Sequence, residues 1–155
     1  MKKVHGTRCF EIALDEAWTA EPRPEVGGLT FVNGSASLRL YVSGGLLNTE
    51  GLDLPKTAAE MNAHALGSLA RDFEHAGGKL QRDAPVISDS PDGYEVEVAA
   101  EVTGALAERM VLVTILRPWV WALARLSSKT VPRQELLQRW RELRMDLILV
   151  EATRK

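Results

Sequence analysis

The sequence is poor in cysteine: Cys9 is the only one among 155 residues. An intramolecular disulfide is therefore impossible, and no CxxC pair is present to hold a metal ion. An excess of one charge is also lacking, because 19 lysines and arginines stand against 21 aspartates and glutamates, for a formal net charge of −2. A non-specific nucleic-acid binder would carry a basic excess, so we expect no nucleic-acid partner.

Long hydrophobic stretches are lacking as well. The longest predominantly apolar run, from Met110 to Leu126, is interrupted by Arg117 and Pro118. A bilayer-spanning helix needs about 20 apolar residues, and an arginine near its centre costs about 2.5 to 3.5 kcal/mol. The opening segment MKKVHGTRCF lacks the apolar stretch of a signal peptide. We therefore expect a cytoplasmic protein without membrane insertion, folded as a single domain over residues 1–155.

Known motifs of catalysis and cofactor binding are missing, since GxxxxGK[ST], GxGxxG, HExxH and GxSxG do not occur. His64 and His75 share one predicted helix face but lie about 16 Å apart along its axis, too far to share a metal ion. Glu95, Glu97 and Glu101 alternate onto one strand face, a pattern typical of the solvated side of an antiparallel sheet. No catalytic, cofactor-binding or metal-binding residue is assigned.

The spacing of apolar residues predicts strands in the first half of the chain and a long helix after them. Residues 8–14 alternate as a strand behind a frayed N-terminus, and Trp18 is expected to turn inward from the following loop. Asn33-Gly34 between two β-rich runs predicts a hairpin. The helix is predicted from Thr57 to Ala76, with capping-box spacing at its start and Gly77-Gly78 as its stop.

The second half of the chain predicts a meander and a closing helix. Strands are expected at residues 83–88, 93–102, 106–116 and 119–127, with turns at Pro91-Asp92-Gly93, Thr103-Gly104 and Arg117-Pro118. The last helix is predicted from Pro132 to Val150. Antiparallel strands with two helices laid against them make an α+β domain.

This layout resembles the PsbP-like (DcrB-like) fold group. The resemblance lies in the early strand with Trp18 after it, and in the segments LTFVNGSASLRLYV, KTAAEMNAHALGSLARDFE, GYEVEVAAEVTGALAERMVLVTILRPWVWALARL and QELLQRWRELRMDLIL. It implies a PsbP-like sandwich with an antiparallel sheet and two main helices. It also implies an assembly, docking or chaperone protein without catalytic residues. One bacterial branch holds transmembrane segments of type VI secretion effectors, which would use an apolar sheet face.

The stretch RPWVWALARLSSK carries the candidate binding site. Val120, Ala122, Ala124 and Leu126 alternate with Trp119, Trp121, Leu123 and Arg125, which gives this strand two largely apolar faces. We expect Trp119, Trp121 and Trp140 to meet where the last hairpin packs under the last helix. The surplus face must meet either the other helix or a partner, and exposed tryptophan and arginine are favoured interface anchors. The protein-binding residues proposed are Trp119, Trp121, Leu123 and Arg125.

Two functions follow as expectations. The first is a non-enzymatic protein-binding, adaptor or chaperone-like protein of bacteria, which could be secretion-associated, with another protein or a second copy of itself as partner. The alternative is a START-like small-molecule-binding protein or enzyme with a cavity between the sheet and the C-terminal helix. The small residues that suggest such a cavity are Ala99, Ala105, Ala107, Ala122 and Ala124.

Overall fold

A computed structural model describes residues 2–21, 28–90, 93–104 and 107–150. The first half of the chain contains β1 (Lys3–Gly6), β2 (Phe10–Leu14), β3 (Thr19–Ala20), β4 (Gly28–Asn33), β5 (Leu38–Leu47) and α1 (Leu54–His75). The second half contains β6 (Gly78–Arg82), β7 (Val86–Ser90), β8 (Gly93–Gly104), β9 (Glu108–Arg117), β10 (Trp119–Ser128), α2 (Arg133–Met145) and β11 (Leu147–Leu149).

The strands form one large and one small antiparallel sheet. The large sheet has the order β3-β4-β5-β10-β9-β8-β6, and β7 also pairs with β8. The small sheet has the order β1-β2-β11. The register of β10 is fixed on both sides, since Trp121 lies opposite Gly45 of β5 and Leu116 of β9. The predicted α+β layout with a meander and two helices is confirmed.

The two helices lie on opposite faces of the large sheet. On one face, Val113 of β9 and Ala122 of β10 belong to a buried cluster with Trp140 of α2 and Phe10 of the small sheet. On the other face, Leu112 of β9 packs with Leu66 of α1. Burial of both faces explains why β9 is an almost continuous apolar run, which is the pattern of a central strand.

Helix α1 begins three residues before the predicted start. Its N-cap is Asp53, whose carboxylate accepts a hydrogen bond of 3.3 Å from the backbone N–H of Lys56, and Pro55 stands in the first turn. Thr57, predicted to be the cap, lies inside the helix. The prediction followed the capping-box spacing and missed a second valid start signal, an acidic cap followed by a proline.

The last helix is shorter than predicted and ends at Met145. Residues Leu147 to Leu149 form β11, which pairs antiparallel with β2, and their burial alternates as in a strand. The guanidinium of Arg144 donates to the carbonyl of Leu147 at 3.0 Å, which holds the reversal between helix and strand. The prediction to Val150 was wrong because Leu143, Leu147 and Val150 also fit a helical arc.

Other element boundaries also differ from the predictions. The N-terminus is ordered as β1, where the His5 ring stacks edge-on against Phe31 at 4.9 Å. The strand predicted at 83–88 corresponds to β7, which covers Val86–Ser90, and β6 at Gly78–Arg82 was not predicted. The Asn33-Gly34 hairpin is confirmed, although its loop has four residues and the Asn33 carboxamide accepts from the Ala36 N–H at 3.1 Å. Pro91-Asp92 and Ala105 lie outside the described residues.

None of the helices in the described ranges is long and apolar enough to cross a membrane. This agrees with the interpretation of the run from Met110 to Leu126 as two strands, β9 and β10, that reverse at Pro118.

Candidate functional site

The side of the large sheet that carries α1 is only partly covered. Helix α1 packs against β9, β8 and β6, whereas α2 packs on the opposite side. Beside α1, strands β5 and β10 present side chains that remain half-exposed or exposed. We call this surface the open face and define it by Arg39, Tyr41 and Gly45 of β5 and by Trp121, Leu123 and Arg125 of β10.

Trp121 lies flat on the open face because its partner across the sheet is a glycine. A Cβ atom added to Gly45 would stand 2.7 Å from Nε1 and 2.9 Å from Cε2 of the Trp121 indole. The ring therefore occupies the space that any other residue at position 45 would fill. An indole that covers a strand glycine in this way restores packing that glycine cannot supply, and Trp121 remains half-exposed.

The same arrangement recurs one strand further along the sheet. A Cβ atom on Gly28 would meet Cε1 of the Tyr41 ring at 2.7 Å, so this ring also lies down on a glycine. The guanidinium carbon of Arg125 stands 5.3 Å from the centre of the Tyr41 ring, within the range of a cation–π contact. The open face thus presents two aromatic rings that lie along the sheet, with the Arg125 guanidinium over the Tyr41 ring.

One end of the open face is formed by a strained turn. Pro118 occupies the second position of the reversal between β9 and β10, and Trp119 follows with a φ of 72°. A positive φ at the third position is the requirement of a type II turn, where glycine is the usual residue. The backbone N–H of Trp119 donates to the Thr49 hydroxyl at 3.3 Å. A large side chain is therefore held in a conformation that costs about 1 to 3 kcal/mol, as is common at functional sites.

The structure brings together three of the four proposed binding residues. Trp121, Leu123 and Arg125 lie on one face of β10, and Trp119 stands at its beginning. Trp121 packs against the buried cluster of Ala58, Val96 and Leu116, and Leu123 packs against the neighbouring cluster that contains Leu66. The surplus apolar face of β10 therefore meets the other helix in part, and its remainder is half-exposed.

The expected cluster of three tryptophans is not formed. Trp140 is buried on the α2 side of the sheet, together with Val120 and Ala122. Trp121 lies on the α1 side, because successive side chains of a strand point to opposite faces. The prediction failed because it placed the last hairpin under the last helix alone, without the second helix on the other face.

The sequence did not reveal the contributions of Tyr41, Gly28 and Gly45. Their role depends on the pairing register between β4, β5 and β10, which places each glycine beneath an aromatic ring of a neighbouring strand. The only available signal was the Gly44-Gly45 pair inside a β-rich run, since a glycine within a strand often marks the close approach of another group.

The acidic strand face is less solvated than expected. Glu95 forms an ion pair of 2.5 Å with Arg144 of α2. Burial raises the pKa of Glu97 above its usual range, the nearby Arg141 opposes that rise, and Glu95 adds to it. Glu101 pairs with Arg109 at 3.5 Å. The end of α2 therefore rests on this acidic strip, which indicates a structural role.

The remaining polar candidates are dispersed. His64 and His75 are exposed along α1, and Cys9 is buried against Gly44. Among residues 2–21, 28–90, 93–104 and 107–150, no three histidine, cysteine or acidic side chains form a group that could hold a metal ion.

Of the small residues that suggested a cavity, Ala122 and Ala124 lie in the buried cluster of Trp140. An open cleft of about 200 Å³ lies instead at the start of α2, between Ala99, Met110 and Leu136. Three arginines line it, and two of them are paired: Arg133 with Asp83, and Arg109 with Glu101.

The sequence matches no family model and no curated protein. Comparison with solved structures finds the solution structure of cyanobacterial PsbP (CyanoP) from Synechocystis sp. PCC 6803. Its TM-score is 0.73 at 9% identity, over 96% of this chain and 91% of that chain. A structure from Bacteroides thetaiotaomicron VPI-5482 has a TM-score of 0.56 at 10% identity, over 94% of this chain and 47% of that chain. At this level of identity the likeness concerns the fold alone: the chain has a PsbP-like α+β fold.

Proposed function

We propose that the protein is a non-enzymatic binding protein, an adaptor or chaperone of bacteria, that docks a partner protein on the open face. The observation that carries the proposal is the pair of aromatic rings, Tyr41 and Trp121, each of which lies on a strand glycine. The guanidinium of Arg125 lies over the Tyr41 ring. Tyrosine, tryptophan and arginine are the residue types most enriched among interface hot spots. They lie beside α1 on the side of the sheet that the helix leaves partly open.

The strain at Trp119 supports the same proposal. A glycine would adopt the φ of 72° without cost, whereas the tryptophan adds a large aromatic group at the end of the open face. A cytoplasmic location belongs to this proposal, because an unpaired and buried Cys9 suits a reducing compartment. An association with secretion would be one role for such an adaptor.

The test is site-specific photo-crosslinking in the producing cell, with a photoreactive amino acid at position 123. We expect one defined adduct with another protein, and we expect Leu123→Glu in the purified chain to abolish binding of that protein while circular dichroism stays unchanged. A photoreactive residue at Ile87 is the control: it is an exposed apolar position on the edge strand β7, three strands away from β10 in the large sheet. Equal adducts from positions 87 and 123, or binding that survives Leu123→Glu, would refute docking on this face.

A second candidate function rests on the cleft at the start of α2. Its lining from Ala99, Met110 and Leu136 is apolar. Arg82 at its rim forms no ion pair within the described ranges of the chain, so the cleft would suit a small amphipathic anion. This candidate replaces the START-like cavity expected from the sequence with an open cleft between the sheet and the start of α2. Native mass spectrometry of the purified protein tests it: a co-purifying ligand lost in Leu136→Arg would support it, and a mass equal to the bare chain would count against it.

A further inference from the structure

We propose that the segment docked on the open face is an amphipathic α-helix of the partner, with a carboxylate placed beside Arg125. This inference rests on the proposed function and specifies the chemistry of the partner. It follows from the hydrogen bonding of the sheet, from its dimensions and from the charges on the open face.

The backbone of the open face has no free hydrogen-bonding edge. Strands β5 and β10 are interior strands, with β4 and β9 as their outer neighbours. A partner that lies on this face therefore receives no ladder hydrogen bonds from it. The N–H and C=O groups that it buries must be satisfied within the partner segment itself, and an α-helix does so. An added β-strand would require a sheet edge instead.

The dimensions of the open face fit one helix. Adjacent strands lie about 4.8 Å apart, so the distance from β4 to β10 is about 10 Å, the diameter of a helix with its side chains. Strand β10 has ten residues and spans about 33 Å, which corresponds to a helix of about 20 residues. Helix α1, of 22 residues, already packs on the neighbouring half of the same face. A docked helix would lie beside it.

The charges on the open face select an acidic helix. Arg39 already pairs with Glu21 at 3.2 Å. Arg125 contacts the Tyr41 ring and forms no ion pair with any residue in the described part of the chain. A docked helix would remove the Arg125 guanidinium from water, which costs free energy unless an anion compensates. A carboxylate at that point supplies the compensation, and Trp121 and Leu123 supply the apolar contact.

A second copy of this chain fits the open face less well. The outer side of α1 carries exposed polar residues, namely Glu60, His64 and Arg71, so it cannot serve as the apolar helix. Two open faces packed against each other would remove Arg125 of both copies from water, and the residues that define the face include no carboxylate to compensate either guanidinium. The helix therefore belongs to a different protein.

The test is a selection from a random library of displayed 20-residue peptides on the full-length protein, with Leu123→Glu as the counter-selection. We expect the enriched peptides to repeat apolar residues every three to four positions and to contain aspartate or glutamate. When Arg125→Glu is the bait, lysine or arginine should replace the acidic residue. Arg71→Glu makes the same charge change on the outer side of α1, and should select the same acidic peptides as the unaltered chain.

A single selected peptide should bind Arg125→Glu at least about tenfold more weakly than the unaltered chain, which corresponds to about 1.4 kcal/mol. The inference would be overturned if apolar residues in the enriched peptides alternated with a period of two, as in a strand, or if the peptides showed no preference for acidic residues. Neither result would contradict docking of a protein on the open face. An enrichment that does not depend on Leu123 would overturn it as well. The crosslinking from position 123 then decides separately whether any protein docks there.

Discussion

Substitution of Gly45 by alanine tests how the open face is built. The added Cβ would stand 2.7 to 2.9 Å from the Trp121 indole, whereas ordinary contacts between such atoms are 3.5 to 4.0 Å. The ring must therefore lift by about 0.8 Å or more. Overpacking of this kind costs about 1 to 3 kcal/mol, and replacement of a strand glycine returns about 0.5 to 1 kcal/mol. We expect a net loss of about 1 kcal/mol in the free energy of unfolding.

The assay is equilibrium unfolding in urea, monitored by tryptophan fluorescence. The emission of Trp121 alone is the difference between the spectrum of each protein and that of the same protein carrying Trp121→Phe. We expect Gly45→Ala to lower the midpoint and to shift the emission of Trp121 to longer wavelength, because the lifted indole is more hydrated. Gly34→Ala is the control, since no atom lies within 4 Å of its added Cβ. A Gly45→Ala protein with unchanged stability and unchanged Trp121 emission would refute the packing of Trp121 on Gly45.

Three further predictions concern the rest of the fold. Gly67→Ala, in the interior of α1 with open space around the added Cβ, should stabilise the protein by about 0.5 to 1 kcal/mol in thermal unfolding. Asn62→Ala should cost about 2 to 4 kcal/mol in urea unfolding, because it deletes the buried donor to Thr114 and two carbonyls and leaves a cavity; Thr114→Val should cost less. The raised pKa of Glu97 means that folding favours its protonated form, so stability falls as pH rises from the unfolded pKa through the folded one. Glu97→Gln should therefore stabilise the protein at pH 7 and lose that gain at pH 3, and equal effects at both pH values would refute this explanation.

Much of the architecture could be predicted from the sequence because local patterns determine it. The alternation in β10 placed Trp121, Leu123 and Arg125 on one side and Val120, Ala122 and Ala124 on the other, as the structure does. Glycine and proline marked the hairpins. Gly77-Gly78 marked the end of α1, which ends at His75.

Elements that depend on distant pairing were less predictable. Strand β11 exists because β2 offers an edge to Leu147 and Leu149, and that edge is over 130 residues away in the chain. Asn62 is buried because carbonyls of two strands and a hydroxyl converge on its amide, while its residue type suggests exposure. The glycine-backed rings of the open face depend on register, which the period-two alternation within each strand does not specify between strands.

The central claim is that the open face is accessible in the isolated chain and awaits a different protein. The measurement that tests it most directly is iodide quenching of tryptophan emission in the unaltered protein and in Trp121→Phe, with the solution mass determined by light scattering on the same samples. We predict a monomer in which the Trp121 contribution is readily quenched. A monomer with a shielded Trp121 would show that the stretch around it is ordinary core, and a dimer with a shielded Trp121 would show that the protein is its own partner. Either result would contradict an accessible open face that binds a different protein.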